Sequence, residues 1–457
     1  MSRFKLSVYT VITDILSDNL AEQRRILYST RTGMAVVLAD EVIGQLQNGE
    51  FDAVSFNIIR KLQAIEVIVP AEEDEVVSVL NQNKAHINDL KSVLVVIQAG
   101  AACQLGCGYC GQKHSKVFMN EDLTRKMLQR IEGKILAKEK CNTLQVTWYG
   151  GEPLMALRQI REISGSLQAL AQKHQIGYEA DMITNGMSLK KDIFRELVTE
   201  HKLRTFQVTL DGTAEYHDKR RVTKEGGESF DIIFKNLVEI CSMPDYKELG
   251  ARITVRCNVD DSNAESVVPL LQLLAEHQLQ DKINFYASPI HDWGNNDAEV
   301  RFNISKEDFA NMEIDWFMEM NRLKFDVELM PSRIRNLCMA VQKDAEVYDA
   351  YGNISNCWET TYTPEYEDGR HQIGNLRFDE ATYNENVPLR QWNDTVLEGK
   401  TWCKKCRFLP VCGGACPLHW ESGHPPCPSY KFNMEDRLLY RYLLKSGKLD
   451  SIMSVEA

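Results

Sequence analysis

The sequence predicts an α/β protein whose centre is an open parallel barrel of six strand–helix units, a partial (β/α)6 barrel. Strand-like and helix-like segments alternate between residues 93 and 288, which is typical of parallel strands joined by crossover helices. Six units rather than eight predict a barrel that stays open. Several motifs follow the carboxyl ends of these strands, where parallel barrels hold their active sites.

The predicted strands are 93–98, 144–149, 178–184, 206–210, 252–259 and 283–288, and the predicted helices lie near 121–139, 156–174, 188–202, 229–242 and 263–278. In the fifth strand one face carries Ile253, Val255, Cys257 and Val259, and the other carries Arg252, Thr254, Arg256 and Asn258. Buried parallel strands are usually apolar on both faces. The alternation therefore predicts a polar cavity inside the barrel. Cys257 then faces the helices as a packing residue, as do Cys141 and Cys241 on predicted helices.

The composition excludes several classes of function. The 457 residues are 44% hydrophobic and 26% charged, as in ordinary globular proteins, and the net charge of −12 argues against nucleic-acid binding. No apolar stretch is long enough to cross a bilayer and no signal peptide is evident, so no membrane association is expected. The cysteines number thirteen, an odd count, and ten of them fall in tight groups, which indicates ligand sets rather than disulfides. A cytoplasmic metalloprotein is predicted.

Three cysteines share one loop after the first predicted strand. Cys103, Cys107 and Cys110 have the spacing C-x3-C-x2-C, with glycines between and after them. Thiolates at such short spacing ligate iron–sulfur clusters, and three of them leave one iron of a [4Fe–4S] cluster open. The alternative is a set of buried, reduced thiols, which is common for isolated cysteines. Three cysteines within eight residues favour the cluster.

Other motifs follow the next strands, namely Gly150-Gly151-Glu152-Pro153, Thr184-Asn185-Gly186, Asp211-Gly212 and Asn258. The cysteine loop with Tyr109, followed by the GGEP motif, resembles a radical SAM enzyme over residues 90–300. In that family the open iron binds S-adenosyl-L-methionine, which is cleaved to a 5′-deoxyadenosyl radical. The resemblance implies that Cys103, Cys107 and Cys110 hold the cluster. It also implies that Gly150, Gly151, Glu152 and Pro153 meet the methionine amino group, that Tyr109 lies against the adenine, and that Thr209, Arg256 and Asn258 contact the ribose or carboxylate.

The C-terminal third carries seven more cysteines. A C-x2-C…C-x3-C group alone would fit structural zinc. All seven, with Gly374-Asn375 between them, resemble the SPASM domain of peptide-modifying radical SAM enzymes, expected here over 338–435. The resemblance implies two auxiliary clusters and thus three [4Fe–4S] clusters in all. It assigns Cys403, Cys406, Cys412 and Cys427 to the distal cluster and Cys338, Cys357 and Cys416 to the nearer one. The nearer cluster then has either an open iron or a ligand that is not cysteine.

The remaining segments are expected to support recognition and packing. Residues 1–85 contain no cysteine and are similar to small winged-helix-like α+β domains that bind a leader peptide by strand addition. A purely structural cap is the alternative. The predicted strands are Lys5–Val11, Ala35–Leu38 and Glu66–Pro70, and the run from Tyr28 to Gly33 is predicted as a turn. The acidic stretch Glu72–Glu75 is predicted to be solvated. Residues 301–337 form a helical bridge, and 436–457 a helix and tail.

These resemblances imply a radical SAM/SPASM peptide maturase. It would install an intramolecular thioether or carbon–carbon cross-link in a ribosomally made precursor peptide, with an external one-electron reductant as a second partner. A sulfatase-maturating type of oxidase, which forms formylglycine, is one alternative. In that group an aspartate that acts as base follows the cysteine matching Cys357, whereas here Trp358 does. A zinc-stabilised binding protein without redox chemistry is the other alternative.

Overall fold

The computed structural model describes residues 4–16, 23–293, 297–298, 304–380, 383–384 and 386–447. The predictions for residues 1–3, 17–22, 299–303 and 448–457 lie outside this part of the chain. No described helix is long and apolar enough to span a lipid bilayer.

The N-terminal segment is a small α+β unit. Its elements are β1 (Phe4–Leu6), β2 (Thr10–Ile12), β3 (Arg24–Ser29), β4 (Met34–Ala39), α1 (Asp40–Gln47), α2 (Phe56–Ala64), β5 (Ile68–Pro70) and α3 (Glu75–Asp89). Strands β2, β3 and β4 form an antiparallel sheet in that order, and β1 pairs with β5. A turn at Ser7 splits the predicted first strand in two, since the Thr10 amide donates to the Ser7 carbonyl.

The prediction of a turn beginning at Tyr28 is corrected, because Tyr28 belongs to strand β3. Leu27 packs in the core of the N-terminal unit, whereas Ile26 and Tyr28 pack with Phe408 of the C-terminal region. Because both faces of this strand are buried, its sequence lacks the alternation that marks a half-buried strand. The turn itself occupies only residues 30–33, where the Gly33 amide donates to the Ser29 carbonyl.

The prediction that the acidic stretch Glu72–Glu75 is solvated is also corrected, because part of this stretch is buried. Glu75 is 4% exposed and accepts a 2.5 Å hydrogen bond from the Ser7 hydroxyl. Arg31 reaches Glu73 at 2.9 Å and Glu75 at 3.4 Å, and it also pairs with Glu66. A buried carboxylate needs such partners to stay ionised. These contacts fix the loop that precedes β4 to the start of α3.

The barrel has the six predicted strands. They are β6 (Ser92–Gln98), β7 (Thr143–Trp148), β8 (Gly177–Thr184), β9 (Leu203–Thr209), β10 (Arg252–Val259) and β11 (Ile283–Pro289). The helices between them are α4 (Glu121–Ala137), α5 (Leu157–Lys173), α6 (Lys191–Thr199), α7 (Ala214–His217), α8 (Phe230–Cys241) and α9 (Val267–Glu276). All six strands are parallel and lie in sequence order.

The apolar face of β10 is as predicted. Ile253, Val255, Cys257 and Val259 have no exposed surface and lie in the core between sheet and helices. Cys241 on α8 is 2% exposed in the same core. Cys141 packs against it but lies between α4 and β7 rather than on a helix, which corrects its expected position.

The C-terminal region continues the barrel sheet, which the sequence analysis did not foresee. Its elements are α10 (Lys306–Arg322), β12 (Ala345–Asp349), β13 (Asn353–Ser355), β14 (Gln372–Asn375), α11 (Trp392–Leu397), α12 (Leu409–Cys412), α13 (Pro417–Glu421) and α14 (Met434–Ser446). Strand β12 pairs in parallel with β6, and β13 and β14 follow as an antiparallel extension. The sheet therefore has nine strands, and its first barrel strand is no longer an edge. Within residues 304–337, the described part of the predicted bridge, the helix is α10.

Candidate functional site

A cavity of about 410 Å³ opens at the carboxyl ends of the barrel strands. Its walls bring together all three cysteines of the first loop with Tyr109, Gly151, Thr209, Arg256 and Asn258. Gly150, Glu152 and Pro153 are not among the lining residues. Five of the eight residues expected at the cosubstrate thus line one space.

The cysteine loop is held by backbone bonds to the segment after α7. The amides of Gly106 and Gly108 donate to the carbonyls of Val222 and Arg220 at 2.9 and 3.0 Å. Sequence analysis did not single out this segment, because a loop partner 110 residues away leaves no local signal. The two loops together form the floor of the cavity.

The three thiols are shielded from water. Burial, followed by the charge of Glu152, raises the pKa of Cys103 to about 12, and burial raises that of Cys110 to about 11. The charge of Cys107 also raises the pKa of both neighbours. A thiolate here needs a nearby cation to be stable, and metal coordination supplies one. The residues therefore fit a metal cluster.

Tyr109 is the centre of a polar network beneath the cavity. Its hydroxyl donates to Asp211 at 2.5 Å and accepts from Arg221 at 2.6 Å and Asn258 at 3.1 Å. Asp211 has no exposed surface and also accepts from the Asn258 amide at 2.9 Å. His217 supports Asp211, because its Nδ1 accepts from the Asp211 amide at 3.1 Å. This network ties the cysteine loop to the ends of β9 and β10.

The two glycines of the GGEP motif allow close packing against the cysteine loop. Both have positive φ, 84° at Gly150 and 53° at Gly151. A Cβ on Gly150 would lie 2.5 Å from the Gln98 side chain, and one on Gly151 would lie 2.5 Å from the Ala102 carbonyl oxygen. The Gly151 backbone N–H donates a hydrogen bond to the side-chain oxygen of Gln112 at 2.9 Å. Packing within the protein therefore already requires glycine at both positions.

Glu152 ties two strand ends together. Its carboxylate is wholly buried and accepts hydrogen bonds from the Thr184 hydroxyl at 2.6 Å, the Asn185 amide at 2.7 Å and the Leu154 amide at 3.0 Å. Burial raises the pKa of Glu152, and these donors oppose that rise. Asn185 in turn approaches the sulfur of Cys103, with Nδ2 at 3.8 Å from Sγ. Glu152 is therefore linked to the cavity-lining residue Cys103 through Asn185.

Glu359 is a cavity carboxylate that the sequence analysis missed. It follows Trp358, lines the cavity and accepts from the Tyr149 hydroxyl at 3.4 Å. Burial raises the pKa of Glu359, and Arg256 opposes that rise. Its charge also acts on Cys110 of the first loop and on Cys357 and Cys416 of the C-terminal region. Glu359 thus lies between two cysteine sets.

The seven C-terminal cysteines form two groups in space. Cys403, Cys406, Cys412 and Cys427 line one small apolar pocket. Cys338, Cys357 and Cys416 pack together with Trp293 and Leu418. Every cysteine is a free thiol. This partition is the one that the resemblance implied for a distal and a nearer cluster.

The cysteine sets are not arranged for a single ion. Over the ranges that the structure describes, no three His, Cys, Asp or Glu side chains converge at distances suited to one metal ion. A cubane cluster spaces its thiolate ligands farther apart than one ion does, because each thiolate binds a different iron. The donor chemistry, thiolate without histidine or carboxylate, also suits iron–sulfur clusters.

Comparisons with known proteins agree with this site. A model of the radical SAM superfamily matches residues 97–244. The chain is 24% identical over 362 residues to the serine-type anaerobic sulfatase-maturating enzyme of Bacteroides thetaiotaomicron, covering 71% of this chain and 82% of that enzyme. It is 24% identical over 381 residues to the cysteine-type enzyme of Clostridium novyi, covering 76% of this chain and 96% of that enzyme.

A solved structure shares the fold. The structure of anSMEcpe with bound AdoMet and Kp18Cys peptide superposes with a TM-score of 0.57 at 16% identity, over 78% of this chain and 98% of that chain. The match to the radical SAM superfamily over residues 97–244 implies a [4Fe–4S] cluster and S-adenosyl-L-methionine. The chain carries a radical SAM domain and is an enzyme of radical redox chemistry, homologous to the anaerobic sulfatase-maturating enzymes.

Proposed function

We propose that this enzyme is a cytoplasmic peptide maturase that installs an intramolecular cross-link, thioether or carbon–carbon, in a ribosomally made precursor peptide. The leader of that peptide binds the N-terminal unit, and the segment to be modified enters the barrel cavity. Three [4Fe–4S] clusters are held by the three cysteine sets. An external one-electron reductant supplies the electron that starts the reaction. The exposed edge of β4 carries the proposal.

Strand β4 is suited to pair with an added strand. Thr13 N donates to the Ile26 carbonyl and Thr30 N to the Tyr9 carbonyl, so the even-numbered residues of β3 bond towards β2. The odd-numbered residues therefore bond towards β4, and Leu27 lies opposite Val36. It follows that Ala35 and Val37 turn their backbone groups away from β3. Among the described residues, β4 pairs with β3 alone.

One face of the same sheet is covered. Val11 on β2 and Ile26 on β3 pack with Phe408 and Val411 of the C-terminal region. The N-terminal unit is therefore attached through this face, while Met34 at the start of β4 is 53% exposed. A leader peptide added to β4 would gain main-chain hydrogen bonds, and its tether would raise the concentration of the attached segment at the cavity.

The cavity residues have separate tasks in this proposal. When bound, the cluster and S-adenosyl-L-methionine supply a 5′-deoxyadenosyl radical that removes a hydrogen atom from the peptide. Tyr109, Asp211 and Asn258 hold the cysteine loop and the strand ends in register. Forming the cross-link removes two hydrogens from the peptide. The first leaves as an atom and the second as a proton and an electron. Glu359 is placed to accept that proton, and an auxiliary cluster held by the C-terminal cysteines would supply the electron acceptor.

Formylglycine formation is the second candidate function, and two observations favour it. Two relatives that cover 71% and 76% of this chain are sulfatase-maturating enzymes. Glu359 also brings a carboxylate into the cavity two positions after Cys357, so the presence of Trp358 no longer argues against a base there. Both candidate reactions are two-electron oxidations of a peptide side chain, and both need a proton acceptor.

The decisive experiment uses peptides encoded beside the gene as substrates for the anaerobically reconstituted enzyme. A cross-link gives a product that has lost two hydrogens, resists fragmentation inside the new ring and does not react with a hydrazide probe. Formylglycine gives an aldehyde that does react. A reactive product would replace the first proposal by the second.

The leader site is tested by one backbone change. Ala35→Pro removes an outward N–H of β4 and leaves the ladder to β3 intact, so precursor binding should weaken about tenfold, as expected for losing one or two hydrogen bonds. Ala35→Ser is the matched control and should bind as the native enzyme does. Equal binding by the native, proline and serine proteins, measured by titration calorimetry, would remove β4 as the leader site.

A further inference from the structure

The distal cysteine set lies just beneath the protein surface. Cys403, Cys406, Cys412 and Cys427 line a small apolar pocket, and Trp402 forms part of its wall. Trp402 is nevertheless 54% exposed, and its ring makes an edge contact with Trp420 at 4.7 Å. An exposed tryptophan therefore separates this pocket from solvent.

A surface groove of about 690 Å³ adjoins the pocket. The groove and the pocket share Trp402, Cys406, Phe408 and Lys431 among their lining residues. Lys431 reaches inward, with its Nζ 3.4 Å from the sulfur of Cys427. A molecule seated in the groove would thus contact the cysteine set directly, without an intervening layer of protein.

Cationic side chains surround this groove. Lys404, Lys405 and Arg407 are exposed, and none of them forms an ion pair with another described residue. Lys405, Arg407 and Lys431 line the groove, and Lys404 is adjacent to it in sequence. The carboxylates Glu435 and Asp436 are the other charged lining residues. The whole chain has a net charge of −12, so this surface is a local reversal of sign. Such a surface attracts and orients an acidic partner.

We propose that this groove is the docking site for a small acidic protein that carries single electrons, of the flavodoxin or ferredoxin kind. Trp402 and Phe432 supply the apolar centre of the contact, and the basic side chains supply its rim. Complexes of this kind bury little surface and depend on charge for their rate of formation. This inference rests on the proposed function, because it requires a cluster in the distal cysteine set.

The electron balance of the docked pair is simple. One electron passes from the reduced carrier to the cluster ligated by the four cysteines. The carrier is oxidised by one electron and the cluster is reduced by one. No bond is made or broken and no proton is required.

The test uses the full-length, anaerobically reconstituted enzyme and a purified acidic flavodoxin. The charge-reversal variant is Lys404→Glu, Lys405→Glu, Arg407→Glu. The matched control is Lys190→Glu, Lys191→Glu, Lys235→Glu, which changes the net charge equally on exposed barrel positions. Flavodoxin hydroquinone is mixed with each protein and its oxidation is followed by stopped flow. Binding of oxidised flavodoxin is measured separately by calorimetry.

At low salt the first variant should oxidise the flavodoxin at least about tenfold more slowly than the native enzyme, and the control within about twofold. The native rate should fall as salt rises towards about 0.5 M, because screening removes the attraction. Equal rates for both variants, or a native rate independent of salt, would overturn the proposal. If the charge-reversed protein loses iron, the milder Lys404→Gln, Lys405→Gln, Arg407→Gln variant replaces it, with a smaller slowing expected.

Dithionite separates this inference from the proposed function. It is a small reductant that needs no docking surface, so the native enzyme should cleave S-adenosyl-L-methionine with dithionite whether or not flavodoxin binds. Cleavage with dithionite but no saturable flavodoxin binding would refute the docking site alone. Absence of cleavage with dithionite would refute the proposed function itself.

Discussion

The carboxylate of Glu152, which follows β7, accepts a hydrogen bond of 2.6 Å from the hydroxyl of Thr184 at the end of β8. The same carboxylate accepts from the Asn185 amide at 2.7 Å. One buried side chain thereby sets the spacing of two neighbouring strand ends at the floor of the cavity. The glutamate of the GGEP motif therefore makes its hydrogen bonds in this structure to protein donors.

Glu152→Ala is therefore expected to destabilise the fold. It leaves buried donors at Thr184, Asn185 and Leu154 without acceptors, and the free energy of unfolding should fall by about 3 kcal/mol. Urea unfolding of the reconstituted enzyme measures this change. Glu162→Ala, at an exposed position on α5, should change it by less than about 0.5 kcal/mol. A Glu152 variant as stable as the native enzyme, with weaker S-adenosyl-L-methionine binding, would instead place this carboxylate at the cosubstrate.

The stability of the network below Tyr109 should depend on pH through His217. Burial, and then the charge of Arg221, lowers the pKa of His217 from 6.5 to about 3. The unfolded chain binds this proton below pH 6.5 while the folded chain does not. Stability is thus complete above pH 6.5 and falls by about 1.4 kcal/mol per pH unit below it. Urea unfolding at pH 7 and pH 5 should show a loss of about 2 kcal/mol from this residue.

Substitution identifies the residue responsible for that slope. His217→Gln should remove this part of the pH dependence, whereas His424→Gln, at an exposed position, should retain it. An unchanged slope in the His217 variant would assign the pH dependence to other groups.

Replacing Cys103, Cys107 and Cys110 together by Ala should remove about a third of the iron, leaving about eight of about twelve atoms. Cleavage of S-adenosyl-L-methionine should be abolished, because these three cysteines line the cavity. Iron analysis and quantification of 5′-deoxyadenosine check both parts. Cys257→Ala, within the core, is the control and should keep full iron content. Continued cleavage by the triple variant would contradict the assignment of the first cluster.

Glu359→Gln should separate cosubstrate cleavage from product formation. The amide cannot accept a proton, so the modified peptide should form at least about a hundredfold more slowly. Formation of 5′-deoxyadenosine should continue, since the first cysteine loop is unchanged. Glu359→Asp should restore part of the product. If the Gln variant modifies peptide at the native rate, the proton acceptor is another group.

The sequence by itself determined the order of elements and the spacing of the ligands. Local hydrophobic periodicity predicts the six strands and their helices. The cysteine loop is recognised from three cysteines within eight consecutive residues. The two faces of β10 were predictable for the same reason, because alternation along a strand is local information. The grouping of the seven C-terminal cysteines followed from resemblance in their spacing.

Only the tertiary structure decided which distant groups meet. The contacts of Glu152 with Thr184, of Tyr109 with Arg221 and of Glu75 with Ser7 join residues far apart in sequence, and no local pattern marks them. Strand β3 was missed because the N-terminal unit covers one of its faces and the C-terminal region covers the other. Glu359 became a candidate only when folding placed it between two cysteine sets. Burial and proximity, which set the chemistry of each carboxylate and thiol, are properties of the folded chain.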